Sequence, residues 1–381
     1  MVGLVHVDFN LTNACNLSCS HCHSASGAAL PDELTTREIV AIIGQLHAHG
    51  VLSVAFAGGE PFVRRDIVAI LSAACALDGW RVSVITNGLF FSDAMLGVLA
   101  EQCPGLGVNV SIDGSTPESF SELRAQPGAS RSAKEALFRR VTEGVQRAVG
   151  AGLDVSVNTT MTRATMSDLV PTYAMATGRL GARSLVAIKF FPAGYGRAHL
   201  ERFEFPSAVW SQQFQQLTVR KLAGDLPLMQ LSLPSAWEFY LPLIEGGFDL
   251  ATAERAWHNR SPLRESAYGR HRTVGDVAGV TELCVSGDGS VYPSVLMVGE
   301  ERMRCGSLRE SELGELWESA APLRQLRDMR LSDISPACDG CDLARLCGGG
   351  SRSRALAQHG SPFAADSACT LLAAGLTEAA S

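Results

Sequence analysis

Eleven cysteines stand in this chain of 381 residues, and two groups of them have spacings that suit metal or cluster ligation. The first group is Cys15-Asn16-Leu17-Ser18-Cys19-Ser20-His21-Cys22. Three thiolates on one short loop can grip three irons of a cubane and leave the fourth open, as a catalytic metal site requires. Zinc is the competing occupant, because a structural zinc takes four ligands and His21 or His23 could complete the set. The second group is Cys338, Cys341 and Cys347, with Cys369 downstream. Four thiolates could hold a closed iron–sulfur cluster or a structural zinc, and spacing alone does not separate the two. Cys75, within an apolar helix, and Cys103, at a helix end, read as core residues.

Further polar residues recur where apolar runs stop. Ala57-Gly58-Gly59-Glu60-Pro61 closes one run. Its glycines would let a ligand approach the backbone, and its acid could accept from an ammonium group. Thr86-Asn87-Gly88 closes the next, Ser111 and Asp113 the one after, and Asn158 and Thr160 the fifth. Arg124 lies in the segment ELRAQPGAS, where a planar, permanently charged guanidinium suits a carboxylate. Taken singly, each of these is equally well read as ordinary capping at a strand end.

The elements that would position these groups alternate. Strand patterns occur at 4–11, 51–59, 81–88, 107–114, 154–162 and 184–191. Between them lie helical patterns, the first capped at Thr35 or Thr36 and stopped by Gly50. Six strands separated by helices imply an α/β fold with a parallel sheet, and chemistry at the C-terminal ends of its strands. We therefore expect one unit over 1–198 and a connecting region with substrate-facing surface over 199–275. A turn-rich, cysteine-rich unit follows over 276–381, with a hairpin around Asp288-Gly289 and one short helix in ELGELWESAAPLRQLRDM.

Composition removes several classes of function. The chain is 46% hydrophobic and 19% charged, which argues against disorder. Its net charge of −7 offers no basic footprint for nucleic acid, and the local runs Arg131–Arg140 and Arg352–Arg354 read as solvated faces. No apolar run reaches the roughly 18–20 residues that span a bilayer, and the N-terminus lacks the pattern of a signal peptide. A cytoplasmic protein without a membrane partner is expected, in a compartment that keeps thiols reduced.

TNACNLSCSHCHSASG, placed just after the first strand, resembles the signature of the radical S-adenosylmethionine (SAM) superfamily. The resemblance implies a partial (β/α)6 TIM-type barrel in which Cys15, Cys19 and Cys22 bind a 4Fe–4S cluster whose open iron is chelated by SAM. It further implies that Gly58, Gly59, Glu60, Asn87, Ser111, Arg124 and Asn158 bind SAM. The glycine-rich segment FPAGYGRA resembles the end of the sixth strand in the same subgroup. SGDGSVYPS, GSLRESELGELWES and CDGCDLARLCGGGSRSRA resemble the SPASM domain, which implies an auxiliary 4Fe–4S cluster on Cys338, Cys341, Cys347 and Cys369. Two departures stand out. His21 replaces the usual aromatic residue, and Ser294 and Ser351 occupy slots where a second auxiliary cluster would have cysteines. Cys284 and Cys305 cannot hold a cubane unaided, so two clusters are expected rather than three. The implied activity is reductive cleavage of SAM to a 5′-deoxyadenosyl radical that takes a hydrogen atom from the substrate. Maturation of a ribosomally made peptide is the first reading. It would need a reductant such as flavodoxin or ferredoxin, and a separate leader-binding protein, because only 14 residues precede Cys15. The alternatives are a small-molecule enzyme (sugar or nucleoside dehydrogenase, epimerase or decarboxylase, or haem side-chain modifier) and a non-enzymatic zinc module.

Overall fold

The computed structural model describes residues 3–124, 128–264, 268–366 and 368–371. Ala125 to Pro127 of the ELRAQPGAS segment, and Ser367 just before the last cysteines' loop, lie outside the described residues.

Six parallel strands stand side by side in chain order: β1 His6–Asn10, β2 Ser53–Ala57, β3 Arg81–Thr86, β4 Gly107–Ser111, β5 Asp154–Met161 and β6 Ser184–Lys189. Their alternation fixes which side faces the helices. Val7, Phe9, Val54, Phe56, Val155 and Val157 are almost completely buried in one core, each contributing about 1.5–3 kcal/mol by leaving water. The residues between them are polar or small, and they face inward. Asp8, Ala57, Ser111, Asn158 and Thr160 line an interior cavity. The barrel interior is therefore a lined chamber instead of the packed centre of a closed barrel.

The helices pack on the outside. α1 Thr36–Ala48 begins with a capping box, in which Thr35 and Glu38 each serve the other's backbone, and buries Ile39, Ile42, Ile43 and Leu46 at helical spacing. α2 Ile67–Cys75, α3 Asp93–Gln102 and α5 Arg131–Gly150 follow the sequence reading. α4 Pro117–Arg124 has no counterpart there, although Pro117 in its first turn and Glu118 beside it are start signals.

The sheet does not stop at six strands. β7 Met229–Ser232 adds in parallel to β6, and β8 Glu282–Val285 adds in parallel to β1. β9 Ser290–Tyr292 pairs antiparallel with β8 through the expected turn at Asp288-Gly289, and β10 Gly306–Ser307 pairs with β9. The sheet among the described residues thus has ten strands, with β7 and β10 at its edges. Four residues between Pro227 and Pro234 give too little alternation for β7 to be read from sequence.

Residues 199–275 pack partly beside β7 and partly, through Arg272 and Gly275, against the C-terminal residues. The helices at Ser207–Leu222 and Trp237–Glu245 pack through aromatic rings, with Phe214 at 5.4 Å from Trp210 and 5.5 Å from Phe239. The expected single helix over ELGELWESAAPLRQLRDM is two, Leu313–Ser319 and Ala321–Asp328. Pro322 has no N–H to continue the first helix, so the chain breaks at Ala320.

Candidate active site

The loop that carries Cys15, Cys19 and Cys22 is fixed by the ends of the strands around it. Gly59 N–H donates to the Thr12 carbonyl at 2.7 Å and Glu60 N–H to the Ala14 carbonyl at 2.8 Å. Cys15 N–H donates to Gly27 at 3.0 Å, and Ser20 N–H donates to Leu123 at 3.0 Å, which ties the loop to α4. Gly58 adopts a φ of 126°, and a Cβ on Gly59 would overlap the Ala14 carbonyl. The sequence reading assigned these glycines to a ligand's approach. The structure shows that they first admit the backbone of the cysteine loop. Gly194 follows β6 in the FPAGYGRA segment, a Cβ on it would overlap the Cys22 and His23 carbonyls, and Tyr195 N–H donates to Cys22 at 2.9 Å.

All three thiols line one chamber of about 710 Å³. Gly58, Gly59, Glu60, Asn87, Ser111, Arg124 and Asn158 line the same chamber, so the predicted SAM-binding set converges. The residues differ in how much of each is already engaged. The Glu60 carboxylate is buried and accepts from Thr86 Oγ1 at 2.7 Å, Asn87 N–H at 2.7 Å and Phe62 N–H at 3.0 Å. Burial raises its pKa and these donors pull it back, with burial the larger influence. Asn87 ties β3 to the loop through Nδ2, which donates to Asn16 Oδ1 at 2.8 Å. Ser111 and Asn158 are cross-strand neighbours, and Asn158 Oδ1 is a buried acceptor without a partner.

Arg124 meets a carboxylate of its own chain. Its Nε donates to Asp113 Oδ2 at 2.5 Å, while Thr160 N–H donates to Oδ1 at 2.6 Å. Burial opposes ionisation of Asp113, but Arg124 and His21 outweigh it and hold the carboxyl below the usual range. His21 Nε2 lies 3.4 Å from the same oxygen, and burial pushes its imidazole down to about 4. Arg124 Nη1 also lies 4.0 Å from Cys19 Sγ. Burial pushes that thiol up to about 12 and the guanidinium pulls it down, so the thiolate needs a metal's positive charge to form.

The second group converges as well. Cys338, Cys341, Cys347 and Cys369 line a separate cavity of about 280 Å³. Gly348, Gly349 and Gly350 all have positive φ, between 65° and 89°, and turn the chain sharply after Cys347. Cys347 and Gly350 line both cavities, so a single layer of residues divides them. Behind that layer lies a network of buried charge. Arg354 donates to Glu238 Oε1 at 3.0 Å and to Asp366 Oδ1 at 3.3 Å, and Lys189 Nζ lies 2.7 Å from the same Glu238 oxygen. Asp366 Oδ2 also accepts from Ser235 Oγ, Trp237 Nε1 and Ser351 N–H.

Cys284 and Cys305 are buried, and neither lines a cavity wall with the other thiols. Ser294 and Ser351 act as helix caps, accepting from Leu296 N–H and Arg354 N–H. The sequence reading missed the acidic wall near them, Asp8, Asp276 and Glu282. Burial, with Asp8 and Asp276 adding to it, pushes the Glu282 carboxyl up to about 8. Asp8, on the polar side of the alternating HVDFN strand, is the signal that could have found this wall.

The donor sets fit the implied clusters. Cys15, Cys19 and Cys22 form no disulfides and share one chamber with the buried Arg124 guanidinium. Among the described residues, no helix is long and apolar enough to cross a membrane.

Comparison with known proteins agrees. A family model described as the Radical SAM superfamily matches residues 9–176, and one described as the SPASM iron-sulfur cluster-binding domain matches residues 277–342. An AdoMet-dependent heme synthase of Methanosarcina barkeri is 27% identical over 93% of this chain and 93% of its own length. Mycofactocin maturase MftC of Mycobacterium ulcerans is 27% identical over 90% of this chain and 81% of its own length. The solved structure of Streptococcus suis SuiB bound to precursor peptide SuiA superposes with a TM-score of 0.73 at 17% identity, over 97% of this chain and 76% of that one. With both domains in chain order on a sheet that brings each cysteine set together, this chain carries a radical SAM domain followed by a SPASM domain, the pairing of an enzyme that works with SAM and 4Fe–4S clusters.

Proposed function

We propose that this enzyme acts on a ribosomally made peptide, presenting one side chain of it to the chamber below β1–β7. Bound at Cys15, Cys19 and Cys22, the cluster with SAM supplies the 5′-deoxyadenosyl radical. The chain's own residues hold and orient the reactants. Glu60 keeps acceptor capacity beyond its three internal donors for the SAM ammonium group. Asn158 Oδ1, the unpartnered acceptor, suits a hydroxyl or ammonium of the same ligand. Ser111 stands beside it. Arg124 is held by Asp113, which fixes its guanidinium beside Cys19.

One observation carries the choice of substrate, the charge of the chamber wall. Its lysine and arginine residues are Arg124, Lys189 and Arg260. Arg124 is paired with Asp113, and Lys189 with Glu204 and Glu238. Asp8 and Asp276 line the same chamber, and Glu282 beside them has a carboxyl raised to about 8. A haem precursor carries several carboxylates and would meet an acidic wall with little free positive charge. A peptide side chain, neutral or cationic, meets no such penalty. The small-molecule reading keeps one specific support, the similarity to heme synthases over nearly the whole chain.

On this reading the partners are a flavodoxin or ferredoxin reductant and a separate leader-binding protein, with the cytoplasm as the place of action. The test is anaerobic incubation of reconstituted enzyme with SAM, dithionite and either a precursor peptide encoded beside the gene or an iron porphyrin. The expected result is peptide-dependent 5′-deoxyadenosine together with a mass change in the peptide. Turnover of the porphyrin with an unaltered peptide would overturn the proposal in favour of haem chemistry.

A further inference from the structure

Arg352 stands just beyond the glycine turn that follows Cys347, and its side chain is only 1% exposed. It touches both segments that deliver ligands to the auxiliary site. Nη2 donates to the Gly349 carbonyl, two residues after Cys347. Nη1 donates to the carbonyls of Pro362 at 2.7 Å and Ala364 at 2.8 Å, on the segment that leads to Cys369. Nε is buried and has no partner. Among the described residues no carboxylate lies within ion-pair distance of the guanidinium, whereas its neighbour Arg354 is paired with both Glu238 and Asp366. The charges in its field are Asp276, Asp366 and the thiols of Cys338 and Cys347.

A buried guanidinium without a counter-ion is costly, so something close by should carry negative charge. Neither carboxylate in its field pairs with it: Asp366 is bound to Arg354, and Asp276 lies beyond ion-pair distance and accepts from the backbone N–H groups of Ala278 and Arg352. The four-thiol site is the other source of negative charge in that field. A cubane ligated by four thiolates is a net anion, and its reduction potential follows the fixed charge and hydrogen-bond donors around it.

We infer that Arg352 is the positioning residue and counter-charge of the auxiliary site: its forked guanidinium joins the Cys347 and Cys369 segments, and its buried positive charge raises the potential of the cluster they hold. The inference rests on the assignment of Cys338, Cys341, Cys347 and Cys369 as that cluster's ligands.

Two variants separate charge from scaffold. Arg352→Gln removes the charge, and Arg352→Lys keeps it while losing the fork. Both are purified anaerobically, analysed for iron and sulfide, and titrated by electron paramagnetic resonance with and without SAM. The SAM-insensitive signal reports the auxiliary site. Arg352→Gln protein that retains both clusters should show that signal at a more negative potential, with Arg352→Lys closer to the unaltered protein. If Arg352→Gln loses auxiliary iron, Arg352→Lys should retain more of it. An unshifted potential in fully loaded Arg352→Gln protein, or equal iron loss in both variants, overturns the counter-charge role. Absence of any SAM-insensitive signal in the unaltered protein would instead defeat the ligand assignment, so the two failures are distinguishable.

Discussion

Around Cys15, Cys19 and Cys22 most of the holding contacts run from backbone to backbone, through Gly59, Glu60, Gly27 and Leu123, with one buried ion pair, Arg124–Asp113, beside Cys19. Around Cys347 and Cys369 backbone bonds such as that from Gly275 N–H to the Gly348 carbonyl are joined by a larger set of buried charges, from Arg354 and Arg352 to Glu238, Asp366 and main-chain carbonyls. The first loop lines a chamber of about 710 Å³ with three thiols, the second a cavity of about 280 Å³ with four. A site where a ligand must enter and leave benefits from a wall that depends little on ionisation, and backbone hydrogen bonds supply most of one. A site with four thiols of its own can rely on ion pairs whose desolvation, once met, makes their rupture costly.

The contrast can be broken most decisively at the first loop. Replacing Cys15, Cys19 and Cys22 together with Ala should abolish 5′-deoxyadenosine formation and remove one cubane's worth of iron, leaving the second site loaded. Retained SAM cleavage in this variant would defeat the three-thiolate assignment. At the second site, Asp366→Ala removes one of the two carboxylate partners of Arg354 and leaves the Ser235, Trp237 and Ser351 donors without their acceptor. It should lower stability by about 3–5 kcal/mol and empty the auxiliary site first. Denaturant unfolding followed with iron analysis reads both effects, and loss of first-site iron alone would contradict the division drawn above.

Smaller changes sharpen the comparison. Glu60→Ala removes a charged acceptor, and SAM binding should weaken by roughly 1.5–3 kcal/mol, or about ten- to a hundredfold. Equilibrium binding measures it, with both clusters still present. Unchanged affinity would leave Glu60 as a brace between β2 and β3 only. Least of all, Ser351→Ala should cost about 1 kcal/mol as a lost helix cap, with unchanged iron content. A drop in iron would make Ser351 a ligand and raise the cluster count above two.

Much of this arrangement was legible from sequence, and the reasons are local. Both cysteine sets lie largely within short spacings, so the chain itself brings most of the ligands together. The strands from HVDFN to SLVAIK alternate clearly enough to be read, and the two domain matches close the zinc alternative that spacing left open. What stayed hidden depends on distant partners. Nothing near Arg124 announces Asp113 as its partner, and Lys189, Glu238, Arg354 and Asp366 meet from widely separated points of the chain. Gly58 and Gly59 were recognisable as a close approach, but the approaching group is Thr12 and Ala14 of the cysteine loop. β7 and the break at Ala320 follow from prolines whose effect depends on what packs beside them.

The same prolines bear on how the molecule behaves at high concentration. β7 ends the sheet with one side unpaired among the described residues, and such edges invite pairing with another chain. This strand is four residues long, with Gln230 and Ser232 exposed and Pro227 and Pro234 close on either side. A second copy could form only a few ladder bonds before meeting a residue with no N–H to donate. Resistance to edge-to-edge aggregation is thus built into the same short strand whose far end lines the chamber, and lengthening it by replacing either proline would put solubility at risk before it touched the chemistry.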